Sequence, residues 1–190
     1  MHKIDEEFSI TMHKQFDISQ LRSIVEQFDS EWQINTSRQR SEYTHRYTES
    51  YFIYSHPLNW KLNTPYKIQQ MCFDEKVMSL VDPIVKELEQ FHDGKVGQCL
   101  LIKLKGRSDI HPHDDSGDYL MNSRRHHVPI ITNQNVFFTV DNKTITMKEG
   151  ECWEINNAKI HSVINQSDLD RVHLLVDIIP NKFLNKEIGL

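Results

Sequence analysis

The sequence predicts a mainly β domain, a sandwich or barrel with helices packed outside it. Three observations carry that reading. From Cys99 onward, short β-branched and aromatic runs alternate with turn clusters. Two apolar stripes at helical spacing precede them, between Asp17 and Phe91. The 190 residues suit one domain around one core.

The first stripe is Leu21, Ile24, Val25 and Phe28, with Asp17 as candidate cap and Gln20 as its box partner. The second runs Val77, Leu80, Val81, Ile84, Val85, Leu88, Phe91. Asp82-Pro83 either starts a fresh helix there or kinks a longer one, and Gly94 ends it. Both stripes read as core packing. The strand candidates are Cys99–Leu104, His127–Thr132, Val136–Val140, Thr144–Met147, Cys152–Ile155, Ile160–Asn165 and Arg171–Ile179. Asp141-Asn142 reads as a tight hairpin turn and Lys148-Glu149-Gly150 as another turn. Several short strands at this spacing suggest a sandwich or barrel, and helices before strands put the helices outside. One domain over 1–190 is expected. Residues 1–98 would be mixed support with a substrate mouth, and 99–180 the β core with the site.

Composition excludes several classes. Apolar content is 38%, charged content 26% and net charge −5, without a long run of one sign. That leaves no electrostatic footprint for nucleic acid or a membrane surface. The start, MHKIDEEFSI, lacks the apolar stretch of a signal peptide, and no stretch approaches the roughly 20 residues of a spanning helix. A cytoplasmic protein is therefore expected. Cys72, Cys99 and Cys152 form neither a disulfide framework nor a zinc spacing.

Histidine is the unusual component. Six of the eleven (His111, His113, His126, His127, His161, His173) lie between residues 111 and 173, and imidazole is the commonest metal ligand. In Ile110-His111-Pro112-His113-Asp114-Asp115, residues two apart on a strand would face one way, so His113 and Asp115 could share a metal. His161, opening a later strand, is the candidate that completes a 2-His-1-carboxylate face with open positions. Asp114 and His111 are alternative ligands in the same run. A lone His-x-Asp is weak evidence, since chance supplies about one in a chain this rich in both.

Arg171 sharpens the case. It stands in Arg171-Val172-His173-Leu174-Leu175-Val176-Asp177, a strand fit for burial, with His173, Leu175 and Asp177 on its face. A buried guanidinium needs an anion. Either Asp177 or a neighbour supplies it, or the distal carboxylate of 2-oxoglutarate does. Arg125 and His127 share a face just before Val128-Pro129-Ile130, either as a solvated basic turn or as further contacts to an anionic cosubstrate. Trp153 reads as core.

The stretch Ile110–Asp177 resembles the aspartyl/asparaginyl β-hydroxylase family of Fe(II)/2-oxoglutarate dioxygenases. The resembling pieces are Ile110–Asp115, Arg125–Ile130 with Thr132-Asn133, Gly150–Asn157, and His161–Asn165 leading to Arg171–Leu174, in family order. Arg171 follows His161 by ten residues, as in the family. The resemblance implies a double-stranded β-helix (jelly-roll, cupin-like) with N-terminal helices outside. It implies His113, Asp115 and His161 as ligands of Fe(II), Arg171 on the distal carboxylate of 2-oxoglutarate, and Arg125 and His127 near the cosubstrate. It also implies hydroxylation of a C–H bond in an amino-acid-like substrate, peptidyl Asp/Asn or a free amino acid. The helical repeat region that precedes the domain in animal members has no counterpart here, which points away from their epidermal-growth-factor-like substrate. Trp32–Thr48 resembles the family more loosely; Arg40, His45, Arg46 and Thr48 are candidates for a substrate mouth. Two rival readings are a cupin-type metalloenzyme that does not use 2-oxoglutarate, with Arg171 structural, and a non-catalytic β-barrel binding module.

Overall fold

The computed structural model of the chain describes residues 7–33, 45–62 and 64–184. Their strands form two antiparallel sheets. The larger runs in the order β1 (Ile10–Gln15), β9 (Glu151–Ile155), β6 (Arg124–Ile131), β11 (Arg171–Pro180), β4 (Gly94–Leu104), β2 (Thr48–Ser55), β3 (Gln69–Gln70). The smaller runs β5 (Ser108–His113), β10 (His161–Asn165), β7 (Val136–Val140), β8 (Lys143–Ile145). This is a sandwich, as the alternating runs predict, in the jelly-roll form that the resemblance implies.

The central strands β4, β6 and β11 are covered on both faces, and this explains their near-continuous apolar runs. Leu101, Val128, Ile130, Leu174 and Val176 turn outward, onto helices α1 (Ser19–Val25) and α2 (Glu75–Phe91). Leu100, Ile102 and Leu175 turn inward, toward the smaller sheet. Between the sheets, Ile10, Leu104, Ile110, Phe138, Val140, Ile155 and Val163 form a second core. The helices thus close the outer face and leave the space between the sheets for the site. Among the described residues, no helix is long and apolar enough to cross a membrane.

Several local expectations are corrected. Asp17 does not cap α1 through a box with Gln20; Ile18 is the cap residue and Asp17 accepts only from Ser19 N. The cap that forms belongs to Asp74, whose carboxylate takes Lys76 N and Val77 N at the start of α2. Asp82-Pro83 starts no new helix: Pro83 lies inside one continuous α2. Gly94 begins β4, and the left-handed residue after α2 is Asp93, at φ 45°. The turns behave as predicted. Asp141, φ 56°, and Asn142 join β7 to β8, and Gly150, φ 78°, precedes β9. Strands β1 and β2 were not picked out from sequence, because neither alternates cleanly: β1 shows its partner only one well-buried residue, Ile10.

Candidate active site

His113 ends β5 and His161 opens β10, and the two are paired across the antiparallel register. Their rings lie 4.3 Å apart. Asp115 is not on the strand, as the two-residue spacing supposed. It lies just past the end of β5, where its backbone N–H donates to Asn157 O at 2.9 Å. One donor atom from each of His113, Asp115 and His161 falls within 4.8 Å of the others. His113 Nδ1 lies 2.8 Å from His111 O, and His161 Nδ1 lies 3.0 Å from Lys159 O. A carbonyl only accepts, so each Nδ1 carries the proton and each Nε2 keeps its lone pair. Burial pushes His161 down to about 4, leaving it neutral. The donor set therefore fits a facial 2-His-1-carboxylate metal, and in this geometry His111 is an orienting carbonyl.

Asp115 is held from behind. Arg125 Nη1 donates to its Oδ2 at 2.5 Å and Asn157 Nδ2 to the same oxygen at 2.9 Å. Burial is the strongest single influence on the Asp115 carboxyl and raises it, but Arg125, His161, Asn157 and His113 together outweigh burial and bring it down to about 2. The other edge of Arg125 pairs in a fork with Asp177, Nε to Oδ1 and Nη2 to Oδ2, both 2.8 Å. Tyr119, fully buried, donates its hydroxyl to Asp177 Oδ2 at 3.1 Å and accepts from Gln98 N at 2.6 Å. So Asp177 belongs to Arg125 and leaves Arg171 without it.

Arg171 is 1% exposed. Its Nη2 donates to His173 Nδ1 at 2.7 Å, and its Nε has no hydrogen-bond partner among the described residues. Burial pushes its pKa down to about 9. His127 and His173 are held neutral by burial and by the Arg171 charge. Arg171, His127, Leu175, Phe138 and Val163 line a narrow cavity between the sheets together with His113 and His161. A buried cation and two donors of the candidate triad on one narrow cavity suit a small anionic ligand. The orphaned Nε is a donor that a carboxylate in the cavity would satisfy.

The candidate residues divide between these roles. Arg125 lines the cavity, but its guanidinium is engaged by Asp115 and Asp177. His45 borders the cavity, edge-on to His113 at 6.0 Å, and Thr48 Oγ1 donates to His45 O at 2.8 Å. Arg46 lies over the Tyr47 ring and beside His111. Arg40 lies outside the described residues. Asn157 and Tyr119 escaped sequence reasoning as site components; Asn157 stood inside a resembling piece, but nothing in its spacing gave it a partner. His173 and Asp177 were placed on the Arg171 face by spacing, and of the two only His173 meets Arg171.

No curated protein sequence matches the chain. Among solved structures, an oxidoreductase of the 2OG-Fe(II) oxygenase family from Burkholderia pseudomallei superposes with a TM-score of 0.63 at 10% identity, over 96% of this chain and 90% of that one. A viral collagen prolyl hydroxylase from Paramecium Bursaria Chlorella virus-1, solved with 2OG, gives 0.55 at 10% identity, over 92% and 97%. These likenesses show the shared fold. The family model for aspartyl/asparaginyl beta-hydroxylase matches residues 2–180. Spanning nearly the whole chain, that match shows that this protein belongs to the aspartyl/asparaginyl beta-hydroxylase family of enzymes.

Proposed function

We propose that the protein is an Fe(II)- and 2-oxoglutarate-dependent hydroxylase acting on a C–H bond of an amino-acid-like substrate. The observation that carries this reading is Arg171, a fully enclosed cation with no carboxylate of the described residues on it, facing the cavity that His113 and His161 also line. His113, Asp115 and His161 would hold the iron, and Arg171 would take the distal carboxylate of the cosubstrate. When bound, iron and 2-oxoglutarate supply the oxidising chemistry, with 2-oxoglutarate and dioxygen giving succinate, carbon dioxide and the substrate hydroxyl. The chain's own work is positional. Arg125 and Asn157 keep Asp115 ionised and aimed, and His173 fixes the Arg171 fork. The apolar walls Ile102, Phe138, Val163 and Leu175 keep bulk water from the reacting centre.

The test is anaerobic titration of the Fe(II)-loaded protein with 2-oxoglutarate, following the visible charge-transfer band of the chelate. A saturable band that disappears in Arg171→Ala, with iron still bound, is expected. Iron bound with no band in the wild type would instead support the metalloenzyme that does not use 2-oxoglutarate. Independently, His161→Ala is expected to lose iron in equilibrium dialysis. Full occupancy in that variant would remove His161 from the site.

A further inference from the structure

His126 stands between Arg125 and His127 on β6 and points to the opposite face of the sheet. There it meets three further donors from separate elements: His13 on β1, His92 just after α2, and Glu154 on β9. His126 and Glu154 are register partners across β6 and β9. Strand β1 breaks register between Met12 and Lys14, so His13 is the extra residue of a bulge, the device that re-aims a side chain. His13 Nε2 lies 2.8 Å from Glu154 Oε2, His92 Nε2 lies 2.9 Å from His126 Nε2, and His92 Nε2 lies 3.8 Å from Glu154 Oε2. All four donor atoms fall within 4.8 Å of one another.

We infer that His13, His92, His126 and Glu154 form a second metal site, built for a tetrahedral zinc(II) ion. Zinc bonds of about 2.0–2.1 Å place tetrahedral ligands roughly 3.4 Å apart. The observed separations bracket that value, and small side-chain shifts would equalise them. Three imidazoles and one carboxylate suit zinc and exclude calcium and magnesium, which require oxygen ligands. Four protein donors leave no open position, which marks the site as structural. Its surroundings are built accordingly. Arg124 donates to Glu154 Oε1 at 3.4 Å, which leaves Oε2 to face the histidines. The Phe91 ring packs edge-on against His13 at 4.8 Å and His92 at 4.7 Å, covering the cluster. An outer cleft of about 260 Å³, lined by Phe91, His92 and Arg124, gives an ion its way in. The bound ion would pin edge strand β1 and the end of α2 to the middle of the large sheet. Hydrogen bonds alone can pair His13 with Glu154 and His92 with His126. They do not account for two pairs from four elements converging on one point.

The full chain, stripped of metal by chelator, would be titrated with zinc(II) against a chromophoric competitor, and separately with cobalt(II). Wild type is expected to bind two equivalents, and His113→Ala and His92→Ala one each. Cobalt(II) in His113→Ala should give the intense visible bands of a tetrahedral centre, and these should vanish when His92→Ala is added. His13→Ala, on the edge strand, gives the same test should His92→Ala fail to fold by circular dichroism. The inference is overturned if His113→Ala binds no zinc, or if its remaining equivalent survives removal of His92 or His13. None of these readouts depends on hydroxylase activity, so the proposed function stands or falls separately.

Discussion

Arg171→Met is expected to fold, to be more stable than the wild type without ligand by about 1–3 kcal/mol, and to lose the stabilisation that 2-oxoglutarate confers. The guanidinium is enclosed, and among the described residues its side-chain partner is a neutral imidazole, His173. A buried charge without a counterion costs several kcal/mol, and Met fills similar volume without that cost. The sign of the pH effect follows from the same burial. With its pKa pushed down to about 9, the charged Arg171 weakens the ligand-free fold in full at neutral pH, and the penalty is relieved only as pH rises through that value toward the unfolded one. A bound carboxylate reverses this by supplying the counterion. In the metal-loaded, oxygen-free wild type, 2-oxoglutarate at about 100 times its Kd should add roughly 2.7 kcal/mol. In Arg171→Met its affinity should fall at least about tenfold, consistent with loss of a buried charge-assisted pair. Chemical denaturation with and without the ligand measures both. A variant that is strongly destabilised yet still protected by 2-oxoglutarate would make Arg171 structural.

Arg125→Met is expected to do the opposite, lowering stability at pH 7 by about 3–5 kcal/mol, because it strands two buried carboxylates. Asp177 is 0% exposed and Asp115 nearly enclosed, and both take their charge partner from Arg125. In the wild type, the Asp115 carboxyl is depressed to about 2. Its contribution is therefore fully present above the unfolded value of about 3.9 and is lost only as pH falls toward 2. Without Arg125, burial is left as the dominant influence and raises the carboxyl instead, so the variant should gain stability as pH is lowered from 7 to 5. Metal affinity should fall with it, since Asp115 loses its aim and its charge. Arg125→Lys should recover only part of the loss, because a point charge cannot make the fork to Asp177 and reach Asp115 together. Denaturant midpoints across pH 4–8 give the answer. A loss below about 1 kcal/mol with no change of pH slope would show that water already screens these carboxylates.

Particular residues show how far the sequence could be read. The β core was legible because β4, β7, β9, β10 and β11 are short apolar runs bounded by turn chemistry, and the turns at Asp141 and Gly150 need left-handed backbone. The α2 stripe was legible because its buried residues recur at helical spacing. Strand β1 was not, since it buries little, and its place at the sheet edge depends on β9, which lies far along the chain. The grouping of His113, Asp115 and His161 was accessible as a spacing and a resemblance, although the geometry assumed for Asp115 was wrong. Its position comes from a backbone bond to Asn157, forty-two residues away.

The sequence by itself determined the periodicities, the turn positions, the fold class and the family, because each rests on residues close in the chain or on motifs in a fixed order. It also showed that a strand fit for burial carries an arginine in need of an anion. Only the tertiary structure decided which anion was already spoken for. The pairing of β11 with β6 delivers Asp177 to Arg125 and withholds it from Arg171. It likewise decided that His126 turns away from its neighbours to meet His13, His92 and Glu154. Side-chain partners across a sheet are set by register between distant strands, and register is fixed by the packing of the whole core.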